Sequence, residues 1–245
     1  MCALFLLSVI VKRNDIADVA WGTGIFLVGL VSYIYGPQSD YTLLLTVLGG
    51  LWGVRLTTRI FLRNIKKGED PRYKKWRDSW GKWFYVRSFF QVYLLQGFLM
   101  TMVGYSFIHA SIYSEGFQIG TLALVGSAVW LIGYFFEVVG DYQLDKFLKN
   151  PANKGKIMNQ GLWKYSRHPN YFGEVTMWWG IWLMVSMFPL SYIALISPLT
   201  ITFLIFRVSG IPMLEESMAK NPSFQTYKEK TSVFFPLPPK KIVQD

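Results

Sequence analysis

The sequence Q-I-G-T-L-A-L-V-G-S-A-V-W-L-I-G-Y-F-F-E-V-V-G, residues 118–140, contains one charged side chain, Glu137. It is long and apolar enough to approach the roughly 20 residues that an α-helix needs to cross the hydrocarbon core of a bilayer. Further apolar runs lie near 1–11, 18–36, 42–62, 89–112, 172–188 and 190–212. The pattern predicts an all-α, polytopic transmembrane helical bundle of about seven spans. The first run has 11 residues and, at about 1.5 Å per residue, reaches only halfway across the core, so we expect a short or truncated span.

The composition excludes a soluble, charge-covered domain. Apolar side chains make up 52% of the 245 residues and charged ones only 16%, whereas charged residues form roughly a quarter of a soluble chain. The net charge of +10 is compatible with nucleic acid, an anionic membrane face or a phosphorylated ligand. With one cysteine and two histidines, neither a disulfide framework nor a bound metal is expected.

The positions of the basic residues predict the orientation in the membrane. If Lys12 and Arg13 are cytoplasmic, alternating spans place the loops 63–88 and 141–171 and the tail after 212 on the same side. The opposite connections, 37–41, 113–117 and the turn near Pro189, contain no Lys or Arg. This positive-inside pattern predicts a multi-pass integral membrane protein of a bacterial inner membrane or a eukaryotic endomembrane. It also explains the basic excess without a nucleic-acid partner. No repeat or linker interrupts the chain, so residues 1–245 are predicted to form a single transmembrane domain.

Charged side chains recur inside two predicted spans, where each costs upward of about 2.5 kcal/mol unless it has a partner, water or a ligand. Both sets recur every four residues and therefore lie on one helix face: Arg55, Arg59 and Arg63 in the third run, and Glu137, Asp141 and Asp145 in the fifth. The two stripes either pair across a helix interface or line a ligand site.

The densest polar motif is G-L-W-K-Y-S-R-H-P-N-Y-F-G-E at 161–174. Pro169 favours an extended His168 and suits the first turn of a helix, so we expect the chain to enter a span here. The exposed N–H groups of that helix end, beside Arg167, suit a phosphate or carboxylate. Gly173 would allow another group to approach the backbone. The alternative is an ordinary capped helix entry.

Two other polar segments flank the spans. In the loop at 64–77, Glu69-Asp70-Pro71-Arg72-Tyr73 combines a turn, an acid pair and an arginine that could hold the loop over a polyanion; a surface that faces lipid headgroups is the alternative. After the last span, 215–230 predicts a short helix, a break at Asn221-Pro222 and a second turn that presents Tyr227. The following F-F-P-L-P-P-K-K is too rich in proline to continue as a helix.

The 161–174 block, the acidic span end Glu137 to Asp141 before it and E-E-(x)10-Y after it resemble the steroid 5-alpha-reductase-like membrane proteins. Within that superfamily the chain is most similar to the group known as DUF1295, which the 68–77 loop and the L-L-Q-G of the fourth run also fit. The reductase-like region covers about 118–240. The R-H-P-N-Y block is shared with sterol reductases, and a shorter form occurs in isoprenylcysteine carboxyl methyltransferases and phospholipid methyltransferases.

The resemblance implies a membrane-embedded reductase that transfers hydride from NADPH to an activated C=C bond of a lipophilic substrate entering from the bilayer. A steroid-like, fatty or isoprenoid substrate would fit. The basic loops suit the phosphates of NADPH better than zwitterionic S-adenosylmethionine. A methyltransferase that uses S-adenosylmethionine on a lipid or prenylated substrate is the first alternative. A non-catalytic protein that binds lipid or nucleotide is the second.

The resemblance also implies the site residues. Asp18 falls near the position of the glutamate that grips the enone oxygen in steroid reductases, but Trp52 stands where the partner tyrosine would be. The phenol would then come from Tyr73, Tyr93 or Tyr85. Cofactor contacts are expected from Arg55, Arg59, Glu137, Asp141, Tyr165, Arg167, His168, Asn170, Glu174 and Tyr227.

Overall fold

The computed structural model describes residues 1–65 and 67–240, and this part of the chain is helical. The α-helices are α1 (Cys2–Val11), α2 (Ile16–Tyr35), α3 (Asp40–Ile65), α4 (Pro71–Trp80), α5 (Phe84–Arg87), α6 (Leu95–Val103), α7 (Tyr105–Tyr113), α8 (Thr121–Lys149), α9 (Pro169–Val185), α10 (Ile196–Phe203), α11 (Ile211–Met218) and α12 (Pro222–Lys230). Short 3₁₀ turns and two π-helical segments, Ser88–Leu94 and Leu204–Val208, join some of them. The described residues form no β-strand, although an isolated parallel bridge joins Ser166 to Ser232.

Four helical stretches are long and apolar enough to cross a membrane: Ile16–Tyr35, Asp40–Ile65, Thr121–Lys149 and Ile193–Met218. The pair Pro71–Val103 and Tyr105–Tyr113, bent by 47°, would make a fifth span if it crosses as one unit. These lengths confirm the all-α class and support an integral membrane protein. The expected short first helix is the 10-residue α1, and α9 has 17 residues. Seven spans and the cytoplasmic side of the basic segments stay predictions.

Two segments predicted as loops are largely helical. Within 63–88, α4 starts at Pro71, because the Asp70 carboxylate accepts the N–H of Arg72 and proline suits the first turn. Within 141–171, α8 continues to Lys149. Basic side chains in its last turn complement the helix dipole, and Asn150-Pro151 then ends it. The predicted short helices of the tail are confirmed as α11 and α12, and 231–240 is not helical, as its prolines predicted.

The described residues divide into two compact units. The first contains Met1–Ile119 and Phe188–Ser197; the second contains Gly120–Met187 and the described residues from Pro198 onward. A single transmembrane domain over the whole chain stays a prediction.

Close contact between α2 and α3 organises the first unit. A Cβ added to Gly53 would lie 2.5 Å from the Gly22 carbonyl oxygen, so only glycine permits this approach. The Phe107 ring of α7 fills the space left by Gly49, where an added Cβ would lie 2.8 Å from the ring. Small residues let transmembrane helix backbones approach, and dispersion contacts then hold them together.

Glycines seven residues apart organise the second unit. Gly126 and Gly133 of α8 face Gly180 and Gly173 of α9, and Gly140 faces Pro169 and Asn170 at the start of α9. A Cβ on Gly173 would lie 2.5 Å from the Glu137 backbone nitrogen. The close approach predicted for Gly173 is therefore made by the backbone of α8. This contact places the start of α9, with the 161–174 motif, beside the acidic residues of α8.

Candidate functional site

The first polar cluster surrounds Tyr73 in the first unit. The Tyr73 hydroxyl, whose side chain is buried, donates a 2.6 Å hydrogen bond to Asp18 Oδ1. Gln96 Nε2 lies 3.4 Å from the phenol oxygen and donates to it, while Trp21 Nε1 donates to Gln96 Oε1 at 3.2 Å. We call Asp18, Tyr73, Gln96 and Trp21 the Tyr73 cluster.

Arg72 fixes the carboxylate of this cluster from the other side. Its Nη2 donates to Asp18 Oδ2 at 2.8 Å, and Asp70 Oδ1 accepts from both the backbone nitrogen and Nε of Arg72. Burial alone would raise the pKa of Asp70, but the hydrogen bonds and charge of Arg72 lower it overall. Asp18 is thus held by one donor on each oxygen.

The geometry separates the three candidate tyrosines. The Tyr93 hydroxyl donates over 3.4 Å to the Asn14 carbonyl, and its ring packs on Phe5. Tyr85 is 47% exposed. Of these three phenols, Tyr73 is the one that the structure joins to Asp18.

The acid pair of the predicted turn has partners within the protein. Glu69 accepts from the Asn14 backbone N–H at 2.8 Å and from Arg77 Nη2 at 2.9 Å, and Asp70 holds Arg72. These contacts tie the segment before α4 to the connection between α1 and α2. Arg72, the arginine predicted to hold the loop over a polyanion, pairs with Asp18 and Asp70, and its contact with a polyanion stays a prediction.

The second cluster lies at the start of α9 in the second unit, and Arg167 is its structural centre. Arg167 Nε donates to Glu215 Oε1 at 2.8 Å, and Nη1 donates to the Lys228 and Thr231 carbonyls at 2.9 and 2.8 Å. The Arg167 backbone N–H donates to Ser232, and the Leu237 N–H donates to Tyr165. These contacts join the tail to the 161–174 motif through Arg167, and a phosphate contact of Arg167 stays a prediction.

His168 and Asn170 carry buried polar atoms with no hydrogen-bond partner among the described residues: His168 Nδ1 and Asn170 Oδ1. His168 is fully buried, precedes the first residue of α9 with φ −140° and ψ 60° instead of the extended backbone that Pro169 predicted, and places Nε2 3.3 Å from Glu215 Oε1. Burial lowers the pKa of His168 to about 4 although the Glu215 carboxylate opposes this shift, so the imidazole is neutral at pH 7. Asn170 Nδ2 donates to Asp141 Oδ1 at 3.1 Å.

The remaining predicted cofactor residues fall into two groups. Those near the 161–174 motif are in the second unit: buried Glu137 and Asp141, partly buried Glu174, Tyr165 at 41% exposure, and buried Tyr227, whose hydroxyl donates to the Trp163 and Ser166 carbonyls. Arg55 and Arg59 are partly exposed on α3 in the first unit.

A basic groove of about 510 Å³ lies beside the tail in the second unit. It is lined by Asn159, Lys164, Ser223, Thr226, Tyr227, Lys230, Thr231 and Pro239, a set with two cations, several hydroxyls and no carboxylate. Sequence reasoning missed Lys164 and Lys230 because they belong to segments 66 residues apart that only the fold joins. Of the predicted residues, Tyr227 lies in this wall.

Comparison with known proteins gives the family. A family model described as a protein of unknown function (DUF1295) matches residues 4–231. No solved structure matches the chain significantly.

Among curated proteins, the chain is 38% identical to 3-oxo-5-alpha-steroid 4-dehydrogenase 1 of Bos taurus and 33% identical to that of Homo sapiens. The matches span 71 and 73 residues, 29% of this chain and 27 and 28% of the two relatives. An uncharacterized protein of Schizosaccharomyces pombe is 22% identical over 82% of this chain and 65% of its own length. The chain thus spans about a quarter of the steroid dehydrogenases and under two thirds of the yeast protein.

Proposed function

This chain belongs to the DUF1295 family of steroid 5-alpha-reductase-like membrane proteins, and we propose that it is a membrane-embedded reductase. The reaction would transfer hydride from NADPH to an activated C=C bond of a lipophilic substrate. The observation that carries this proposal is the 2.6 Å hydrogen bond between buried Tyr73 and Asp18, a phenol and a carboxyl group on an apolar scaffold.

The Tyr73 cluster is suited to stabilise negative charge on a carbonyl oxygen. When hydride adds to the β-carbon of an enone, charge develops on that oxygen, and a preorganised donor lowers the barrier. Tyr73 would donate to the oxygen. For this step the Tyr73 hydroxyl would turn from Asp18 to the substrate oxygen, Arg72 would keep the Asp18 carboxylate in place, and Gln96 would donate to the phenol oxygen. The enolate that forms would then take a proton from water at its α-carbon, which completes the saturated bond.

The second unit offers groups that fit a nucleotide cofactor. The orphaned acceptors His168 Nδ1 and Asn170 Oδ1 can take hydrogen bonds from hydroxyl or amide groups, and Lys164 and Lys230 in the basic groove can bind phosphate. When bound, NADPH supplies the hydride. We propose that Glu137, Asp141, Tyr165, Glu174 and Tyr227 complete this surface; for Arg55 and Arg59, which lie in the first unit, a cofactor contact stays a prediction.

The names of the matched relatives favour reduction over methyl transfer, because the steroid proteins are dehydrogenases. Ribose hydroxyls occur in both NADPH and S-adenosylmethionine, so the acceptors alone would fit either. One test, described next, therefore distinguishes the reductase from the methyltransferase and from the non-catalytic binding protein.

The test is ligand-dependent thermal stability of the purified protein in detergent with NADPH, NADH or S-adenosylmethionine. A ligand at about 100 times its Kd stabilises the native state by about 2.7 kcal/mol. We expect the largest shift with NADPH, followed by its oxidation when steroid, fatty or isoprenoid enones are added. A shift with S-adenosylmethionine alone would overturn the reductase, and NADPH binding without turnover of any enone would favour the non-catalytic protein.

A further inference from the structure

Two carboxylates in the second unit decide which atoms of His168 and Asn170 donate hydrogen bonds and which accept them. Glu215 lies against His168, and Asp141 lies against Asn170. We propose that Glu215 is a positioning residue that keeps the proton of His168 on Nε2, so that buried Nδ1 accepts a hydrogen bond from a hydroxyl or amide group of the bound nucleoside. This inference deepens the proposed function and rests on it for the nucleoside.

The first step is the charge state of Glu215. Its Oε1 accepts from Arg167 Nε at 2.8 Å, and Oε2 lies 3.4 Å from Lys228 Nζ. Two cations at these distances keep the carboxyl group ionised, and an ionised carboxylate can only accept hydrogen bonds.

The second step is the tautomer of His168. Because Glu215 Oε1 can only accept, the ring nitrogen 3.3 Å from it must carry the hydrogen, and that nitrogen is Nε2. A neutral imidazole carries one ring proton, so Nδ1 is left with a lone pair. The low pKa of His168, about 4, agrees with this neutral form.

The third step is the orientation of the side-chain amide of Asn170. Asp141 Oδ1 accepts from this amide at 3.1 Å, so the NH₂ group faces Asp141 and the carbonyl oxygen Oδ1 faces away. Both carboxylates therefore leave acceptors behind them, His168 Nδ1 and Asn170 Oδ1, and both atoms are buried and unpartnered among the described residues. A buried acceptor without a donor destabilises the protein, and a donor from a ligand would remove this cost.

The ligand chemistry follows from two acceptors on residues that are separated by one position in the sequence, His168 and Asn170. A phosphate oxygen would present its own lone pairs to these atoms, whereas ribose hydroxyls, a carboxamide or an exocyclic amine would donate to them. Arg167 directs its Nε and Nη1 to Glu215 and the tail carbonyls. His168 and Asn170 therefore bind the nucleoside part of the ligand, and the phosphates are left to Lys164 and Lys230.

The experiment is ¹⁵N NMR of the imidazole nitrogens in the full-length protein in detergent at pH 7. The chain has two histidines, so His109→Gln and His168→Asn assign the signals. In the wild type we expect His168 to be neutral with its proton on Nε2. A proton on Nδ1, or a doubly protonated ring, overturns the proposal.

Two variants separate positioning from simple packing. Glu215→Gln introduces an amide that can donate to Nε2, so the ring proton should move at least partly to Nδ1. Lys228→Met removes the cation beside Glu215 Oε2 and should leave the tautomer of His168 unchanged. Equal tautomer populations in both variants and the wild type would overturn the role of Glu215; should Glu215→Gln not fold, the wild-type spectrum still decides the tautomer.

The ligand step is read from the same spectra. Adding NADPH should shift the His168 Nδ1 resonance without protonating the ring, and Glu215→Gln should weaken NADPH binding about tenfold more than Lys228→Met. If NADPH stabilises the protein but Nδ1 does not respond, the inference is wrong while the reductase stands. If NADPH fails to bind, S-adenosylmethionine, which also has ribose hydroxyls, becomes the probe; an Nδ1 signal unmoved by either ligand overturns the acceptor role.

Discussion

Tyr73→Phe removes one oxygen atom from the Tyr73 cluster and separates its two roles, in stability and in turnover. A hydrogen bond to a charged group contributes about 1.5–3 kcal/mol. The bond to Asp18 is short, at 2.6 Å, and Asp18 keeps Arg72 on its other oxygen, so we expect a loss of about 2 kcal/mol in unfolding free energy. For a chain of this size the apparent melting temperature should fall by about 4–8 °C.

The expected effect on turnover is larger. Loss of one donor to a developing oxyanion typically lowers kcat by about 10²–10³. The measurement is NADPH oxidation at saturating enone, normalised to folded protein. Tyr93→Phe is the matched control, because that phenol is equally buried but its hydroxyl bond to Asn14 is 3.4 Å long. We expect its kcat to stay within about tenfold of wild type, the range of a residue outside the reacting centre.

The two measurements together can refute the argument. A Tyr73→Phe protein that melts lower yet keeps the wild-type kcat would show that the phenol only holds Asp18 and α4 in place. Equal losses in Tyr73→Phe and Tyr93→Phe would mean that damage to the first unit, not a missing donor, explains the defect.

Three further predictions test other parts of the structure. Gly173→Ala should be strongly destabilising, because its Cβ would lie 2.5 Å from a backbone atom of α8, whereas Gly68→Ala, with nothing within 4 Å, should change the melting temperature little. His168→Asn should flatten the pH dependence of the unfolding free energy. The pKa of His168 is about 4 in the folded protein and 6.5 in the unfolded chain, so the unfolded chain binds the proton first as the pH falls. The unfolding free energy of the wild type should therefore rise by up to about 3 kcal/mol between pH 4 and 6.5 and be lost as the pH falls through this window. The orientation in the membrane can be tested with single cysteines that replace Lys164 or Glu115 in a Cys2→Ser background. In sealed vesicles with the outer face exposed, a membrane-impermeant maleimide should label position 115 and leave position 164 unlabelled. The reverse result would contradict the cytoplasmic location of the 161–174 motif.

Local signals in the sequence were sufficient for the elements that depend on neighbouring residues. Pro169 predicted the start of α9, Asn221-Pro222 the break before α12, and the prolines after Phe235 the non-helical tail. The charge of the segments 63–88 and 141–171 predicts loops, whereas the structure is helical over much of both. The local helix signals there are the capping Asp70 and the basic last turn of α8.

The candidate site was predictable in residue types and less so in partners. Asp18 and Tyr73 were both candidates, but nothing in a spacing of 55 residues joins them, and the choice of Tyr73 over Tyr93 required the hydrogen bond itself. Arg167 carried the expected charge, yet its partner Glu215 lies 48 residues further along the chain.

By itself, the sequence determined the helical membrane class, the family resemblance and the helix starts at prolines, because apolar length, motif and capping are local properties of the chain. Only the tertiary structure decided which atoms remain available to a ligand. A charge or a lone pair is available to a ligand when no neighbouring group uses it, and here the neighbours come from distant segments. Glu215 pairs with Arg167 and lies 3.3 Å from His168 Nε2, while Asp141 accepts from the amide NH₂ of Asn170. Among the described residues, His168 Nδ1 and Asn170 Oδ1 then have no hydrogen-bond partner.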